Sequence, residues 1–214
     1  MRPSAAAPDR LPPAPRLMAV PVIHEFDPPE RFVVGTVGEP GQRTFFLQAR
    51  AGARMVSVAL EKQQVAALAV RVDELLDQVL DEASSPTLIP AVAPLDLDDA
   101  DPLEQPIEEE FRAGTMTLSW DPNIGRVVIE VFPFSDEVVV AEETGEDTGE
   151  EIYVEPDPDE VLLVRISPGT ARAFALRAGR VVEAGRPGCP FCGGPIDPSG
   201  HLCVRANGFR RREP

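Results

Sequence analysis

Three cysteines and one histidine lie close together in the last part of the sequence. Cys189, Cys192, His201 and Cys203 have the spacing C-x2-C-x8-H-x-C. Thiolate sulfur and imidazole nitrogen are donors that Zn²⁺ prefers, and a zinc ion with four protein ligands has no open position for a substrate. The pattern therefore predicts a structural zinc site. We expect residues 187–214 to form a small zinc knuckle followed by a basic tail.

The same cysteines have other possible chemistry. A disulfide framework is disfavoured because the sequence holds an odd number, three, with no fourth cysteine to pair. A thioredoxin-like Cys-x-x-Cys motif opens a helix after a strand, whereas Gly193, Gly194 and Pro195 cannot continue one. Three ordinary thiols remain the alternative to a metal site. The glycines fit a metal turn better, because they allow the positive φ that lets amides approach thiolates.

Two other groups of residues deserve comparison with known chemistry. His24 lies beside Glu25 and Asp27, a combination that could serve in acid–base catalysis, but no nucleophile stands at a recognisable spacing from it. We therefore expect a structural or exposed histidine and assign no catalytic residue. A phosphate-binding loop needs a following helix and a different glycine spacing, so turn glycines explain the remaining group: Gly35, Gly38 and Gly41.

The overall charge limits the partners of this chain. Its formal net charge is −16 and its isoelectric point is about 4.5, so the body is a poor binder of nucleic acid or of anionic membranes. No apolar run approaches the ~20 residues of a membrane span, and no signal peptide is recognisable. We expect a cytoplasmic protein. A basic cluster near the end leaves weak nucleic-acid binding as an alternative: Arg205, Arg210, Arg211 and Arg212.

The elements that must carry these residues follow from hydrophobic periodicity. Strands are predicted over 31–37, 44–48 and 54–60, and their short turns favour antiparallel pairing. A helix is predicted over 61–82, where apolar residues recur every three or four positions. The apolar stripe comprises Val65, Leu68, Ala69, Val72, Leu75, Leu76, Val79 and Leu80.

The second half of the chain repeats this order of elements. Strands are predicted over 115–120, 126–132 and 161–166. Ser167 is then a predicted helix cap with Pro168 in the first turn. Gly185 is placed just beyond the helix end. Two acidic loops interrupt the pattern, at about 84–113 and 141–152. We expect the first to be solvated and the second to be mobile.

The two halves align without a gap through the last strand and the helix. Leu60 aligns with Ile166, and Leu68 aligns with Phe174. Any two amphipathic helices share this period, which is the alternative to a true repeat. The common order of elements favours duplication. We therefore predict an α+β fold over residues 18–186, in which two βββα repeats form antiparallel sheet with covering helices.

Residues 1–17 are rich in proline, alanine and arginine, and they are predicted to be a disordered tail. Met18 is the expected original start. Four segments then resemble an uncharacterised actinobacterial family, a domain of unknown function, from about Met18 to Phe209. They are HEFDPPERFV from His24, VGEPGQRTFFLQAR from Val37, VALEKQQV from Val58 and CPFCG from Cys189. The resemblance implies no activity and no catalytic residues.

These observations favour a non-enzymatic function. We expect a zinc-stabilised, cytosolic protein that binds an unidentified protein partner. An enzyme with an unrecognised site between the repeats is the alternative, since pockets commonly form at such interfaces. Zinc is expected mainly to order residues 187–209.

Overall fold

The computed structural model describes most of the region between residues 21 and 205. The described residues are 21–39, 41–82, 89–135, 139–141, 152–154, 158–185, 189–194, 196, 200–203 and 205. The predicted disordered tail (1–17), Arg210, Arg211 and Arg212, and most of the second acidic loop lie outside them.

The described residues form nine strands and two α-helices. The strands are β1 (Val22–Phe26), β2 (Arg31–Val37), β3 (Thr44–Ala51), β4 (Arg54–Leu60), β5 (Glu109–Asp121), β6 (Arg126–Pro133), β7 (Val139–Ala141), β8 (Ile152–Val154) and β9 (Glu160–Ile166). The helices are α1 (Lys62–Glu82) and α2 (Pro168–Glu183), and a short 3₁₀ helix spans Leu95–Leu97. No helix among the described residues is long and apolar enough to cross a bilayer.

Seven strands form one mixed sheet in the order β1-β9-β6-β5-β4-β3-β2, and β7 pairs with β8. The expected α+β class is confirmed, but purely antiparallel pairing was wrong. β4 pairs with β5 in parallel, and β1 pairs with β9 in parallel. Parallel neighbours need a long crossover. For the β4–β5 pair, the crossover is the segment 61–108, which contains α1.

The sheet must be strongly curved. β1 and β2 are its two edge strands, and a flat sheet of seven strands would separate them by about 29 Å at about 4.8 Å per strand. The chain from Phe26 to Arg31 spans at most about 18 Å at ~3.6 Å per residue. The two edges therefore approach each other. The side chain of Arg54, on β4, accordingly lies 4.1 Å from the centre of the Phe26 ring, on β1.

The concave face and the two helices enclose the main core. Alternate residues of the strands point inward, such as Leu47, Val58, Ile129 and Leu162, each with 0% exposure. The predicted stripe of α1 is buried at Val65, Leu68, Ala69, Val72 and Leu76. The ring of Phe174, on α2, stacks on Phe32, on β2, with centroids 4.7 Å apart.

The start of α2 is built as the sequence predicts. The Ser167 hydroxyl accepts a hydrogen bond from the Thr170 amide at 3.1 Å, and Pro168 occupies the first turn. Ala184 caps the other end, followed by Gly185. One residue separates β9 from α2, so the chain reverses direction at once and the helix packs on the concave face of the sheet.

Most described residues of the first acidic loop are exposed, but part of the loop is also anchored to the sheet. Residues 109–113 belong to β5, and in the described part of the remainder Ile89 and Leu103 are buried. The Gln48 amide group, on β3, clamps this segment: its nitrogen donates to the Glu104 carbonyl at 3.1 Å, and its oxygen accepts from the Glu104 amide at 2.9 Å. The acidic residues of this segment are held in place because arginine side chains form ion pairs with them.

Gly35 is not a turn glycine, which corrects the sequence interpretation. It lies within β2, and a Cβ atom built on it would come within 2.6 Å of the Leu103 side chain. The absence of a side chain at Gly35 therefore leaves room for Leu103 to pack on the outer face of the sheet. Gly38 and Gly41 are turn glycines as predicted, with φ of 100° and 102°.

Candidate metal centre

The cysteines and His201 follow α2 in a segment shaped by its own hydrogen bonds. The Cys189 amide donates to the Gly194 carbonyl at 2.7 Å, and the Gly193 amide donates to the Cys189 carbonyl at 2.8 Å. Gly193 has a φ of 74°, as its place after Cys-x-x-Cys predicts. This turn brings the Cys189 and Cys192 side chains to the same side of the backbone.

The structure brings all four predicted ligands together. The candidate donor atoms of Cys189, Cys192, His201 and Cys203 lie within 4.8 Å of one another. The sulfur atoms of Cys189 and Cys203 are 3.7 Å apart, and the Cys192 sulfur lies 3.2 Å from His201 Nε2. No disulfide joins the cysteines.

These separations fit one tetrahedral ion. Two thiolates bound to zinc at about 2.3 Å are about 3.8 Å apart along the edge of a tetrahedron, close to the distance between Cys189 and Cys203. Cys189 and Cys203 are buried, whereas Cys192 and His201 are partly exposed. The donor set of three sulfurs and one imidazole nitrogen therefore suits a soft or borderline divalent metal.

The surroundings of Cys189 favour its thiolate form, which is the form that binds a metal. Burial raises the pKa of this thiol. Hydrogen bonds from the backbone amides of Cys192 and Phe191, with the neighbouring thiols, outweigh burial and lower the pKa to about 7. At Cys192, the Gly194 amide lowers the pKa, but burial and the other two thiols outweigh it and raise the pKa.

Two large apolar side chains stand between the ligands, and both point to solvent. Phe191 lies between Cys189 and Cys192 and is 62% exposed, and Leu202 lies between His201 and Cys203 and is 84% exposed. The backbone carbonyl of Phe191 accepts a hydrogen bond from Arg205 at 3.2 Å. We call Phe191 and Leu202 the apolar tip.

His24 has partners that the sequence did not indicate. Its Nε2 atom lies 3.3 Å from a carboxylate oxygen of Glu160 and 3.8 Å from one of Glu110. The adjacent acids Glu25 and Asp27 instead pair with Arg165, and Asp27 also with Arg126. Adjacent strand residues point to opposite faces of a sheet, so proximity in sequence was misleading. No local spacing could have revealed Glu110 and Glu160.

Comparison with known proteins gives a family but no activity. A family model described as a protein of unknown function (DUF3090) matches residues 24–203. The match includes His24 and all four residues of the Cys/His cluster. Searches of curated proteins and of solved structures found no match.

Proposed function

This chain belongs to the family described as protein of unknown function (DUF3090), and from that premise we propose that it is a zinc-stabilised cytoplasmic protein whose function is to bind another protein. The observation that carries the proposal is the apolar tip between the ligands of a closed metal cluster. A site whose four positions are filled by protein can stabilise structure but cannot activate a substrate.

Zinc is the proposed occupant of the Cys/His cluster. Cys189, Cys192, Cys203 and His201 supply the donor types of a structural zinc site, and the spacing of their donor atoms fits a tetrahedron. Bound zinc would offset most of the charge of the three thiolates and fix the turn at Gly193. Thiolate ligands must stay reduced, which is the reason for placing the protein in the cytoplasm.

The apolar tip is the proposed contact surface. In a zinc knuckle, each of its side chains would be flanked by two metal ligands, so the backbone on both sides would be fixed. Fixing an exposed apolar group beforehand lowers the entropy lost on binding. Aromatic side chains are also the ones most often found at the energetic centre of protein interfaces. Phe191 is therefore the expected anchor and Leu202 its support.

Crosslinking tests this assignment. A photo-crosslinking amino acid at position 191 of the full chain should capture a specific protein in cells. The captured protein is then purified, and its affinity for the unmodified chain is measured by calorimetry. Replacing both Phe191 and Leu202 by serine should weaken this binding at least about tenfold, since truncated anchor residues commonly cost 2 kcal/mol or more.

The matched control is Leu95→Ser. Leu95 is also an exposed apolar residue, with 92% exposure, but lies in the 3₁₀ helix. Its replacement should leave the affinity unchanged. A purified partner that binds the double variant as tightly as the unmodified chain, or no specific capture at position 191, would contradict the proposal.

We also propose that the sheet arose from two βββα repeats. From β2, the order β2-β3-β4 is followed by β5-β6-β9, and each set leads into a helix. The aligned pairs Leu60 with Ile166, and Leu68 with Phe174, are buried in both halves. This arrangement supports a tandem repeat along one sheet. The same gap-free alignment matches Arg71 with Arg177, and this pair differs because Arg71 is exposed and Arg177 is buried.

A further inference from the structure

His24, Glu110 and Glu160 meet at one end of the sheet because of strand direction. β5 and β9 both run antiparallel to β6, and β1 runs parallel to β9, so β1, β5 and β9 all start at the same end. Glu160 opens β9, Glu110 is the second residue of β5, and His24 lies on β1. Curvature of the sheet brings β5 towards β1. One imidazole nitrogen and two carboxylates, from three separate strands, then lie within 4.8 Å of one another.

The two carboxylates of this cluster have no arginine or lysine partner among the residues that the structure describes. His24 lies near both of them, with Nε2 3.8 Å from Glu110 and 3.3 Å from Glu160. Other carboxylates at comparable exposure have arginine partners, such as Asp99 with Arg31. An imidazole binds a metal in its neutral form, so the three ligands would together carry a charge of −2, which a divalent cation would cancel.

We propose that His24, Glu110 and Glu160 form a second metal site, which binds one divalent cation of the Mn²⁺ type. Carboxylate and water ligands suit a cation of this type, whereas the thiolates of the Cys/His cluster suit softer ions. The proposal does not depend on the protein-binding function, because the two sites share no residue.

The geometry leaves room for such an ion and for water. Metal–ligand bonds of about 2.0–2.2 Å place neighbouring donor atoms roughly 2.9–3.5 Å apart. The His24–Glu160 distance of 3.3 Å lies in this range, and the His24–Glu110 distance of 3.8 Å is slightly longer. The Glu110 side chain is 43% exposed, so a small rotation brings it into range. The side facing solvent would hold water ligands, which makes this an open site.

A Mn²⁺ titration tests the site in the full chain, with one equivalent of zinc added beforehand, because the three thiolates of the Cys/His cluster take up the first equivalent. Electron paramagnetic resonance measures free Mn²⁺. We expect saturable binding of one equivalent, and His24→Ala and Glu160→Gln should each weaken it at least about tenfold, a loss seen even for residues that only support a metal ligand. In the unaltered protein, substoichiometric Mn²⁺ should broaden the NMR signals of the His24 ring, a readout that does not depend on variant folding.

Glu25→Gln is the matched control. It removes one negative charge from the residue next to His24, but the Glu25 carboxylate pairs with Arg165 instead. This variant should keep the affinity of the unaltered chain. Absence of saturable binding would overturn the proposal. Equal affinity in all four proteins would do the same, since it would show general attraction of cations to an acidic surface.

Discussion

Arg177 on α2 donates a hydrogen bond from Nε to the backbone carbonyl of Val34 on β2, at 2.8 Å. β2 is an edge strand of the sheet, so this carbonyl has no strand neighbour on that side. The other guanidinium nitrogens donate to the Asp101 carbonyl at 2.7 Å and to the Asp99 carboxylate at 2.8 Å. One buried side chain thus joins the second helix, the edge of the sheet and the first acidic loop.

Replacing Arg177 by methionine should destabilise the fold. The change leaves the Val34 carbonyl without its buried donor, which costs about 1–3 kcal/mol, while Asp99 keeps its two hydrogen bonds from Arg31. Urea denaturation followed by Trp120 fluorescence measures the loss. Arg180→Met is the control, because Arg180 lies one turn later on α2 and pairs with Asp98 at the surface. A similar loss in both variants would contradict the role given to Arg177.

The Asp99 carboxylate should make stability depend on pH in the acid range. A hydrogen bond from Arg31 lowers the pKa of Asp99, and this effect exceeds the opposing effect of burial. Since the unfolded chain binds a proton more readily, with a pKa of about 3.9, the contribution of Asp99 is fully present above that value. It is lost as the pH falls through the lower pKa of the folded state.

The free energies of unfolding of the Asp99→Asn variant and of the unaltered chain should therefore approach each other as the pH falls. The unfolding free energy of the variant should lie well below that of the unaltered chain at pH 7, and the gap should narrow as the pH falls below about 4. Denaturation in urea at a series of pH values measures the gap. Asp96→Asn removes an exposed charge from the same loop and controls for net charge. A gap that stays constant down to pH 3 would exclude the proposed contribution.

Gly35→Ala should destabilise the protein by displacing Leu103. The new methyl group would lie 2.6 Å from Leu103 Cγ, and such overpacking typically costs about 1–3 kcal/mol. The double change with Leu103→Ala should cost less than the sum of the single changes, which a double-mutant cycle measures.

Gly179→Ala is the control, and it is expected to raise the stability of the protein, not to lower it. Gly179 lies inside α2, and nothing approaches within 4 Å of a Cβ built there. Alanine at a helix interior is favoured over glycine by about 0.8–1.0 kcal/mol, so this variant should be more stable. Additive costs in the Gly35 and Leu103 cycle would show that the two residues do not compete for space.

Removing metal should unfold the Cys/His segment and leave the sheet folded. Zinc binding by small knuckle peptides contributes about 10–16 kcal/mol, while the sheet and helices have their own buried core. After chelation, hydrogen exchange should accelerate in peptides containing Cys189 to Cys203 and remain slow in β3 and β6. Cys203→Ser should have the same effect without a chelator. Less than half an equivalent of zinc in the purified protein would refute the assignment of zinc.

Sequence periodicity predicted the elements whose apolar residues repeat locally. Buried residues recur every three or four positions in a helix. This spacing identified α1 from Val65, Leu68 and Val72, and the Ser167 cap identified the start of α2. The strands β2, β3, β4, β6 and β9 were also recognised. The Cys/His cluster was predictable for the same reason, since its ligands occur in two short pairs.

Elements with few buried residues were missed. β1 has only Phe26 fully buried, and the first residues of β5 include Glu109, Glu110 and Arg112, which are typical of a loop. Both strands form because the sheet provides a neighbour, and a single sequence does not record that neighbour. His24 and Glu160 lie 136 residues apart, so their contact depends wholly on the curvature and order of the sheet.

The position of β1 beside β9 sets the order in which the molecule can be completed on the ribosome. Val22–Phe26 is the first of the described strands to leave the exit tunnel, yet its neighbour in the sheet, Glu160–Ile166, is the last of them. A nascent chain can assemble the meander of β2, β3 and β4 with α1 early, since those contacts are local. The first strand has to wait, unpaired, until nearly the whole domain has been translated.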